Sequence, residues 1–249
     1  MNRDTRVVVT RIASRFDVLL TVPLVNPKLY FTLTPYTADG EAPVFLCDIR
    51  GNEVIATDPA PGKRPYFIVK SDNASDIVAA TRLIDVPVVE NFRDQGGYLT
   101  ASGQIVKWGR FFRGGAFTRL DNSDRAYLDT LGLRLILDYR DDSERAAQPD
   151  YIPDGATAQI IPAIRRTAEE IEEFNRTAVY SMEERLQQMC EPGVADEEYE
   201  KFKDIYRSLP FTNPAYQGMF DSLDCEETAH IYQHCSAGKD RTGVGCAML

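Results

Sequence analysis

The sequence predicts two parts: a small all-β sandwich-like domain over residues 1–84, then an α/β domain with a central, mostly parallel sheet over residues 85–249. Three observations carry this prediction. The first part consists of short Val-, Ile-, Leu-, Phe- and Tyr-rich runs separated by turn residues. The second part places buried strands beside amphipathic helices. Near its end a short strand, a glycine-containing loop and the start of a helix follow one another, an order that builds an anion site.

Seven short runs in the first part are predicted strands. They span residues 6–11, 17–22, 29–34, 44–49, 52–57, 66–70 and 81–86. Pro87 ends the last run, because proline cannot donate to a strand ladder. This number and spacing favour an immunoglobulin-like sandwich without an inter-sheet disulfide. The domain is either a packing module or a module that docks a partner or shapes the catalytic mouth, and no motif decides between these roles.

The second part is predicted from its hydrophobic periodicity and its capping residues. Strands are expected at 104–108, 111–113, 133–138, 158–164 and 229–233. Helices are expected at 121–131, at 196–209, from 213 to about 223, and from 242 to 249. Thr167 and Glu170 form a capping box that opens a further helix running towards Cys190. Gly132 is the expected stop of the first helix.

Residues 234–243 read HCSAGKDRTG and carry the chemistry. Cys235 is the candidate nucleophile, because a helix N-terminus and a nearby cation lower a cysteine pKa and a thiolate attacks phosphorus well. Arg241, six positions later, offers a planar fork for two phosphoryl oxygens. Thr242 is expected to donate its hydroxyl to the sulfur of Cys235, and His234 to orient the loop by bonding backbone. The alternative is that this cysteine and arginine spacing arose by chance around an inert buried cysteine.

Substrate binding is assigned to the backbone of the same loop. Successive N–H groups and a helix dipole would bind the equatorial oxygens of a phosphoryl group as the transition state develops. The backbone amides of residues 236–241 are expected to act in this way, and Lys239 adds positive charge at the rim that suits a multiply phosphorylated head group. The residues assigned to substrate binding are Ser236, Ala237, Gly238, Lys239 and Thr242.

The loop resembles that of the cysteine-dependent protein tyrosine phosphatases, and its Lys239-Asp240 pair resembles a bacterial branch that also acts on phosphoinositides. Three further runs continue the resemblance: ENFRDQGGY at 90–98, WGRFFRGGAFTRL at 108–120 and LILDYR at 135–140. Gln95 and Tyr139 stand where leucine is more usual. The resemblance covers about residues 89–249 and implies a three-layer phosphotyrosine-phosphatase-like domain. More helices follow in the family, so we expect this domain to be cut short at Leu249.

The resemblance also bears on the general acid. Many tyrosine phosphatases hold it on a Trp-Pro-Asp loop, but the one tryptophan here, Trp108, precedes Gly109. In the bacterial branch the proposed acid is the loop aspartate, which maps onto Asp240, and the charge of a bound phosphate would keep it protonated. The alternative for Asp240 is a structural ion pair. Asp94 is the second-choice acid or an orienting group.

Two other features of this part have alternative interpretations. Asp138 follows a buried strand, where it either fixes the loop by a salt bridge or supports catalysis. The glutamate-rich helices before residue 223 either cover the site as a lid, as such helices can in the family, or present a solvated face.

Composition narrows the function classes. Residues 1–88 hold ten basic and ten acidic residues, so the net charge of −10 resides in residues 89–249, which argues against a nucleic-acid partner. The sequence shows neither an apolar run long enough to span a membrane nor a signal peptide. The five cysteines show no paired spacing. We therefore expect a cytoplasmic protein with reduced thiols, no cofactor and no metal; secretion without a visible signal is the alternative, and the oligomeric state is left open.

The sequence therefore predicts a phosphatase that hydrolyses phosphomonoesters, with protein phosphotyrosine as the preferred substrate, through a phosphocysteine intermediate. A phosphoinositide or dual-specificity phosphatase is the alternative. A module that captures phosphorylated ligands without hydrolysis is the alternative from another class, and the intact Cys235 and Arg241 argue against it.

Overall fold

The computed structural model describes residues 6–36, 42–164, 193–223 and 230–249, and the single positions 169, 172, 187 and 190. These residues form two antiparallel sheets, one mixed sheet and a set of helices that pack on the mixed sheet. The predicted capping box at Thr167 and Glu170 lies outside the described residues. Among the described helices, none combines the length and the apolar character that crossing a membrane requires.

The first seven strands form the two antiparallel sheets, with the orders β1-β2-β5 and β4-β3-β6-β7. They are β1 (Val7–Ile12), β2 (Arg15–Leu20), β3 (Lys28–Thr32), β4 (Val44–Asp48), β5 (Glu53–Thr57), β6 (Tyr66–Ser71) and β7 (Ala74–Ala79). Alternate residues of both sheets, such as Phe16, Val18, Leu29 and Phe67, are buried in one shared hydrophobic core. This confirms the sandwich-like fold, since two sheets that share one core face each other.

Two predicted strands are wrong. Residues 81–86 form no strand, and the seventh strand is Ala74–Ala79, which follows the turn at Asp72. The apolar residues Ile84 and Val86 instead pack into the core of the second part, with Phe92 and Phe112. Residues 104–108 contribute only an isolated bridge between Ile105 and Leu99. In both segments apolar composition reflects burial rather than strand pairing.

The central sheet has the order β11-β10-β12-β9-β8. Its strands are β8 (Arg93–Asp94), β9 (Phe111–Gly114), β10 (Leu135–Asp138), β11 (Thr157–Ile160) and β12 (Ile231–His234). The four longer strands run parallel, and β8 is antiparallel to β9 at the edge. The predicted mostly parallel sheet is therefore confirmed. All four residues of β10 and of β12 are buried, which is typical of a parallel sheet covered on both faces.

Helices cover both faces of this sheet. They are α1 (Asn122–Asp129), α2 (Asp142–Ala147), α3 (Val194–Ser208), α4 (Pro214–Leu223) and α5 (Asp240–Met248). Phe112, Ile136 and Tyr232 point to one face, where Leu128 of α1 joins their core. Their strand neighbours point to the other face, where Tyr216 of α4 is buried against them. These three layers are the architecture that the sequence predicts, and the division at residues 84 and 85 stays a prediction.

Candidate active site

The loop that carries Cys235 joins β12 to α5 at the carboxyl edge of the central sheet. Three parallel strands end level there, because His234 pairs with Asp138 on one side and with Gly114 on the other. Helix α5 begins at Asp240, two residues earlier than predicted, so Asp240 and Arg241 lie in its first turn. The loop is therefore placed against a helix N-terminus, where unpartnered N–H groups and the helix dipole favour an anion.

Donors from neighbouring segments bind the carbonyl groups of this loop. Arg113 Nη2 donates to Gly238 O at 2.6 Å, Asn91 Nδ2 to Ala237 O at 2.9 Å, and the Ala116 N–H to Ser236 O at 3.0 Å. The N–H groups of residues 236–239 donate no hydrogen bond to any residue that the structure describes. Because the carbonyls are bound and these amides are not, the loop offers a backbone cradle for an acceptor-rich ligand.

Gly238 is required by the shape of the loop. Its φ of +64° lies in the left-handed region, and a Cβ there would come within 2.1 Å of the carbonyl carbon of Gly114. Any side chain would therefore push the loop away from β9. The close approach also explains how Arg113, on the same strand, reaches the loop carbonyl.

Cys235 lies at the base of the loop with 3% of its surface exposed, in the core cluster that contains Tyr139 and Tyr216. It is a free thiol. Contacts hold the backbone carbonyls of both His234 and Cys235. The Tyr139 N–H donates to the His234 carbonyl at 3.0 Å, and His234 Nδ1 lies 3.2 Å from the Cys235 carbonyl. This second contact joins the His234 ring to the loop backbone, and a role of His234 in orienting the loop stays a prediction.

Arg241 is held by Glu144, a residue that the sequence analysis did not single out. Its Nη1 and Nη2 donate to the two carboxylate oxygens at 2.7 and 2.8 Å, and each side chain is 12% exposed. Ser236 Oγ donates to the same carboxylate at 2.6 Å. Burial acts to raise the pKa of Glu144, but the hydrogen bonds and charge of Arg241 outweigh it and lower that pKa to about 2. The guanidinium fork is thus pre-oriented beside the cradle.

Asp240 lies at the rim of the loop and accepts a hydrogen bond on Oδ1 from the hydroxyl of Tyr206 in α3. Lys239 Nζ is 3.6 Å from the same oxygen. Burial, and then the hydrogen bond and charge of Asp240, raise the pKa of Tyr206 to about 12, so this hydroxyl remains a donor. These three residues and Tyr199 are among those that line an open cleft of about 640 Å³. Both contacts fall on Oδ1, and Oδ2 has no hydrogen-bond partner among the described residues.

Thr242 is fully buried, and its Oγ1 has no hydrogen-bond partner among the described residues. The predicted donation from this hydroxyl to the sulfur of Cys235 is therefore not made in this structure.

Behind the loop, Asp138 belongs to an ion-pair network. Arg140 donates to it from Nε at 3.0 Å and from Nη2 at 2.8 Å, and the same Nη2 also binds Asp150. His234 Nε2 lies 3.5 Å from Asp150 and 3.8 Å from Asp138. The carboxylates of Asp138 and Asp150 and the imidazole of His234 lie close enough together to be ligands of one metal ion. Both carboxylates, however, already bind the guanidinium of Arg140. We interpret the network as the support of the loop base, which is the salt-bridge alternative for Asp138.

Asp94 lies away from the loop. Its carboxylate is fully buried, accepts hydrogen bonds from the N–H groups of Gly96 and Gly109 at 2.7 Å, and pairs with Arg64 at 2.7 Å. Gly109 precedes β9, so this carboxylate lies toward the amino ends of the strands, whereas the loop is at the carboxyl ends. The predicted role of Asp94 as second-choice acid finds no support in this position, and its contacts are those of a structural carboxylate.

Two of the missed residues left a sequence signal. Asp141 and Glu144 have the spacing of a capping box, and both of its hydrogen bonds form at the start of α2. Their position directly after the buried strand β10 could have located a helix N-terminus, and hence Glu144, near the site. The apolar periodicity of the helix predicted at 196–209 places Tyr206 on its buried face, but the side chain is 39% exposed and its hydroxyl donates to Asp240.

The sequence profile described as the tyrosine phosphatase family matches residues 84–249, which include the loop, Glu144 and the whole central sheet. The chain belongs to the tyrosine phosphatase family. The match confirms the resemblance that the loop and the three flanking runs predict. Because it starts at residue 84, all seven strands of the sandwich lie outside it.

Curated proteins of the family from three bacteria are similar to this chain. It is 27% identical over 174 residues to the triple specificity protein phosphatase PtpB of Mycobacterium tuberculosis, which is 66% of the chain and 62% of that protein. It is 28% identical over 188 residues to a protein of Cupriavidus necator assigned to the tyrosine-protein phosphatases, which is 74% of the chain and 62% of that protein. The chain is 26% identical over 142 residues to a tyrosine-protein phosphatase of Nostoc commune, which is 56% of the chain and 42% of that protein. The matches thus span about three fifths of the first two relatives.

Proposed function

We propose that this chain hydrolyses phosphomonoesters through a covalent phosphocysteine on Cys235, with protein phosphotyrosine as the preferred substrate. The observation that carries the proposal is the joint geometry of Cys235, the backbone cradle of residues 236–239 and an Arg241 fork fixed by Glu144. Each part contributes a different requirement of phosphoryl transfer: a nucleophile, donors for the equatorial oxygens and a rigid cation.

In the first step the Cys235 thiolate attacks phosphorus and the ester P–O bond breaks. Arg241 has five N–H donors, of which Glu144 takes two at 2.7 and 2.8 Å. Two more make long contacts, to Tyr139 O at 3.5 Å and to Ser236 Oγ at 3.4 Å, so these donors and the Nε–H are the ones that a phosphoryl group would recruit. The cradle amides take the other oxygen charge as it develops. Because the carbonyls of the loop are held from behind by Arg113 and Asn91, these donors need no reorganisation when the substrate enters.

Asp240 is proposed as the general acid. Its Oδ2 gives a proton to the leaving oxygen while Oδ1 stays hydrogen-bonded to Tyr206. In the second step water attacks the phosphocysteine, the carboxylate takes a proton from that water, and the S–P bond breaks to restore the thiolate. The contact with Tyr206 supports the proposal because it fixes the carboxylate at the mouth of the loop, where a leaving group would depart.

Lys239 favours a second candidate substrate class. Its side chain is 73% exposed at the rim, next to Asp240 and the cleft, where it can meet a second phosphate on a phosphoinositide head group. The name of the mycobacterial relative, triple specificity, is consistent with a pocket that admits more than phosphotyrosine. A panel of phosphotyrosine peptides and phosphoinositides, assayed with the native chain and with Lys239→Ala, tests this role of Lys239. The substitution should lower the turnover of phosphoinositides and leave that of phosphotyrosine peptides unchanged.

Two substitutions test the chemistry. Cys235→Ser should abolish turnover and leave substrate binding intact, and phosphate release by this variant would exclude the phosphocysteine. Asp240→Asn should slow a phosphotyrosine peptide more than an activated aryl phosphate, whose leaving group needs no proton. An equal loss on both substrates would remove Asp240 as the acid and leave it as a structural ion-pair partner.

Binding without hydrolysis is the remaining function class. The native chain would then retain a phosphotyrosine peptide with no release of phosphate, and Cys235→Ser would change neither property.

The contact between α3 and the loop supports a lid. Tyr199, Lys203 and Tyr206 of this helix face Lys239 and Asp240 across the cleft. If the helix is a lid, the hydrogen-exchange protection of its backbone amides should change when a phosphate analogue binds. Unchanged exchange over residues 194–208 in the presence of the analogue would show that the helix is a fixed wall.

A further inference from the structure

A second cavity, of about 220 Å³, lies between the sandwich and the central sheet. Tyr36 and Arg64 contribute to its wall from the sandwich, and Arg110, Arg134 and His230 from the other side. The Ile231 N–H donates to the Arg110 carbonyl at 2.9 Å, so Arg110 and His230 lie side by side where β9 and β12 begin. The catalytic loop starts where these strands end, and four extended residues span about 13 Å. The two sites are thus separate.

The lining of this cavity is strongly cationic. Four basic residues, Lys63, Arg64, Arg110 and Arg134, are among the residues that line it, and none of the described lining residues is acidic. Arg64 is neutralised by Asp94 at 2.7 Å. The other three make no ion pair with any residue that the structure describes. On a chain of net charge −10, three cations that pair with no carboxylate of the described residues surround one small cavity and favour a local positive field.

A buried donor at the cavity lacks a partner. The Arg64 side chain is 3% exposed, and its Nε–H meets no hydrogen-bond acceptor among the described residues. Arg110 and Arg134 line the same cavity as His230, and burial, and then their charges, lower the pKa of its ring, which favours the neutral imidazole. An unpaired buried donor is costly, and an acceptor-rich anion would satisfy it.

We propose that this cavity is a second anion site that binds a phosphate group, either free phosphate or the phosphate of a larger molecule. Arginine forks suit the tetrahedral oxygens of phosphate, and several cations suit its double charge. The volume is below that of pockets for drug-sized ligands, so a small group fits. The proposal goes beyond hydrolysis at Cys235 and does not depend on it.

Inorganic phosphate titrated calorimetrically into the whole chain at low ionic strength tests the proposal. We expect two equivalents in the native chain and one in Arg241→Met, which disables the catalytic loop. Arg110→Gln should weaken the second equivalent about tenfold or more, since a charged hydrogen bond is lost. Arg134→Gln, an exposed side chain, is the second variant and should act in the same direction. Arg50→Gln, an exposed cation outside the cavity, is the matched control and should keep both equivalents.

Vesicles of phosphatidylcholine, with or without a phosphatidylinositol phosphate, separate the sources of the phosphate. Sedimentation of the chain with the phosphoinositide vesicles that is lost in Arg110→Gln would assign the site to a lipid head group. Two phosphate equivalents without such sedimentation would assign it to a free anion. A single equivalent that disappears in Arg241→Met, or two that survive both cavity substitutions, would overturn the second site. One equivalent that survives Arg241→Met and is lost in Arg110→Gln would retain this site and contradict the catalytic loop instead.

Discussion

Replacement of Glu144 by glutamine removes the charge that orients Arg241 and keeps the shape of the side chain. The carboxylate accepts three short hydrogen bonds, two from Arg241 at 2.7 and 2.8 Å and one from Ser236 at 2.6 Å. A glutamine has one acceptor oxygen, so at least one of these donors must lose its partner. The guanidinium would then have to find a new position beside the cradle, or remain partly unpaired.

The magnitude follows from the pKa of Glu144, which falls from the ordinary 4.5 to about 2 in the folded chain. That difference corresponds to about 3 kcal/mol, and glutamine keeps part of the hydrogen bonding, so we expect a loss of about 1–3 kcal/mol at neutral pH. A lowered pKa stabilises the fold above pH 4.5, and this contribution is lost as the pH falls towards 2. The native chain should therefore lose stability over that window more steeply than Glu144→Gln.

Urea unfolding between pH 7 and pH 2, together with kcat/KM for a phosphotyrosine peptide, measures both effects. We expect kcat/KM to fall about tenfold to a hundredfold, because Arg241 loses its fixed orientation. Glu53→Gln, on an exposed position of β5, is the matched control and should stay within about 0.5 kcal/mol of the native chain. Native-like stability and activity in Glu144→Gln would refute the role of this carboxylate as the support of Arg241.

Three other substitutions have definite expected outcomes. Gly238→Ala should cost about 2 kcal/mol or more in thermal unfolding and most of the activity, because its Cβ would lie 2.1 Å from the Gly114 carbonyl carbon; native behaviour would show that the loop can shift freely. Tyr206→Phe should reduce kcat several-fold for phosphotyrosine peptides and leave an activated aryl phosphate unchanged, whereas equal effects would assign this hydroxyl to folding alone. Asp94→Asn should destabilise the chain by about 3–5 kcal/mol in chemical unfolding, because Arg64 would be left buried without its anion, and a change below about 1 kcal/mol would contradict that pairing.

The sequence predicted the parts of the site that are local along the chain. Cys235 and Arg241 are six positions apart, so one loop and one helix turn determine their arrangement, and the structure brings them together with the cradle residues. Six of the seven predicted sandwich strands are present within a few residues, since alternation and turn residues are also local signals. The family match confirms the resemblance drawn from the same short motifs.

Contacts between distant segments could not be predicted in this way. Glu144 and Arg241 are 97 residues apart and meet because β10 and β12 are neighbours that end level. Tyr206 lies on a helix whose apolar periodicity predicts a buried face, but its hydroxyl donates to Asp240, 34 residues away, because the tertiary fold brings the helix against the loop. The strand predicted at 81–86 failed for a related reason, because Ile84 and Val86 are buried by the second part rather than by pairing.

The central claim is that a covalent bond forms between Cys235 and phosphorus, and rapid acid quenching tests it most directly. The native chain is mixed with a radiolabelled phosphotyrosine peptide, quenched within a single turnover, digested and mapped by mass spectrometry. Our account predicts a transient label on the peptide that contains Cys235, absent in Cys235→Ser and longer-lived when the second step is slowed by Asp240→Asn. Release of phosphate at the native rate with no label on Cys235, or with the label on another residue, would contradict it.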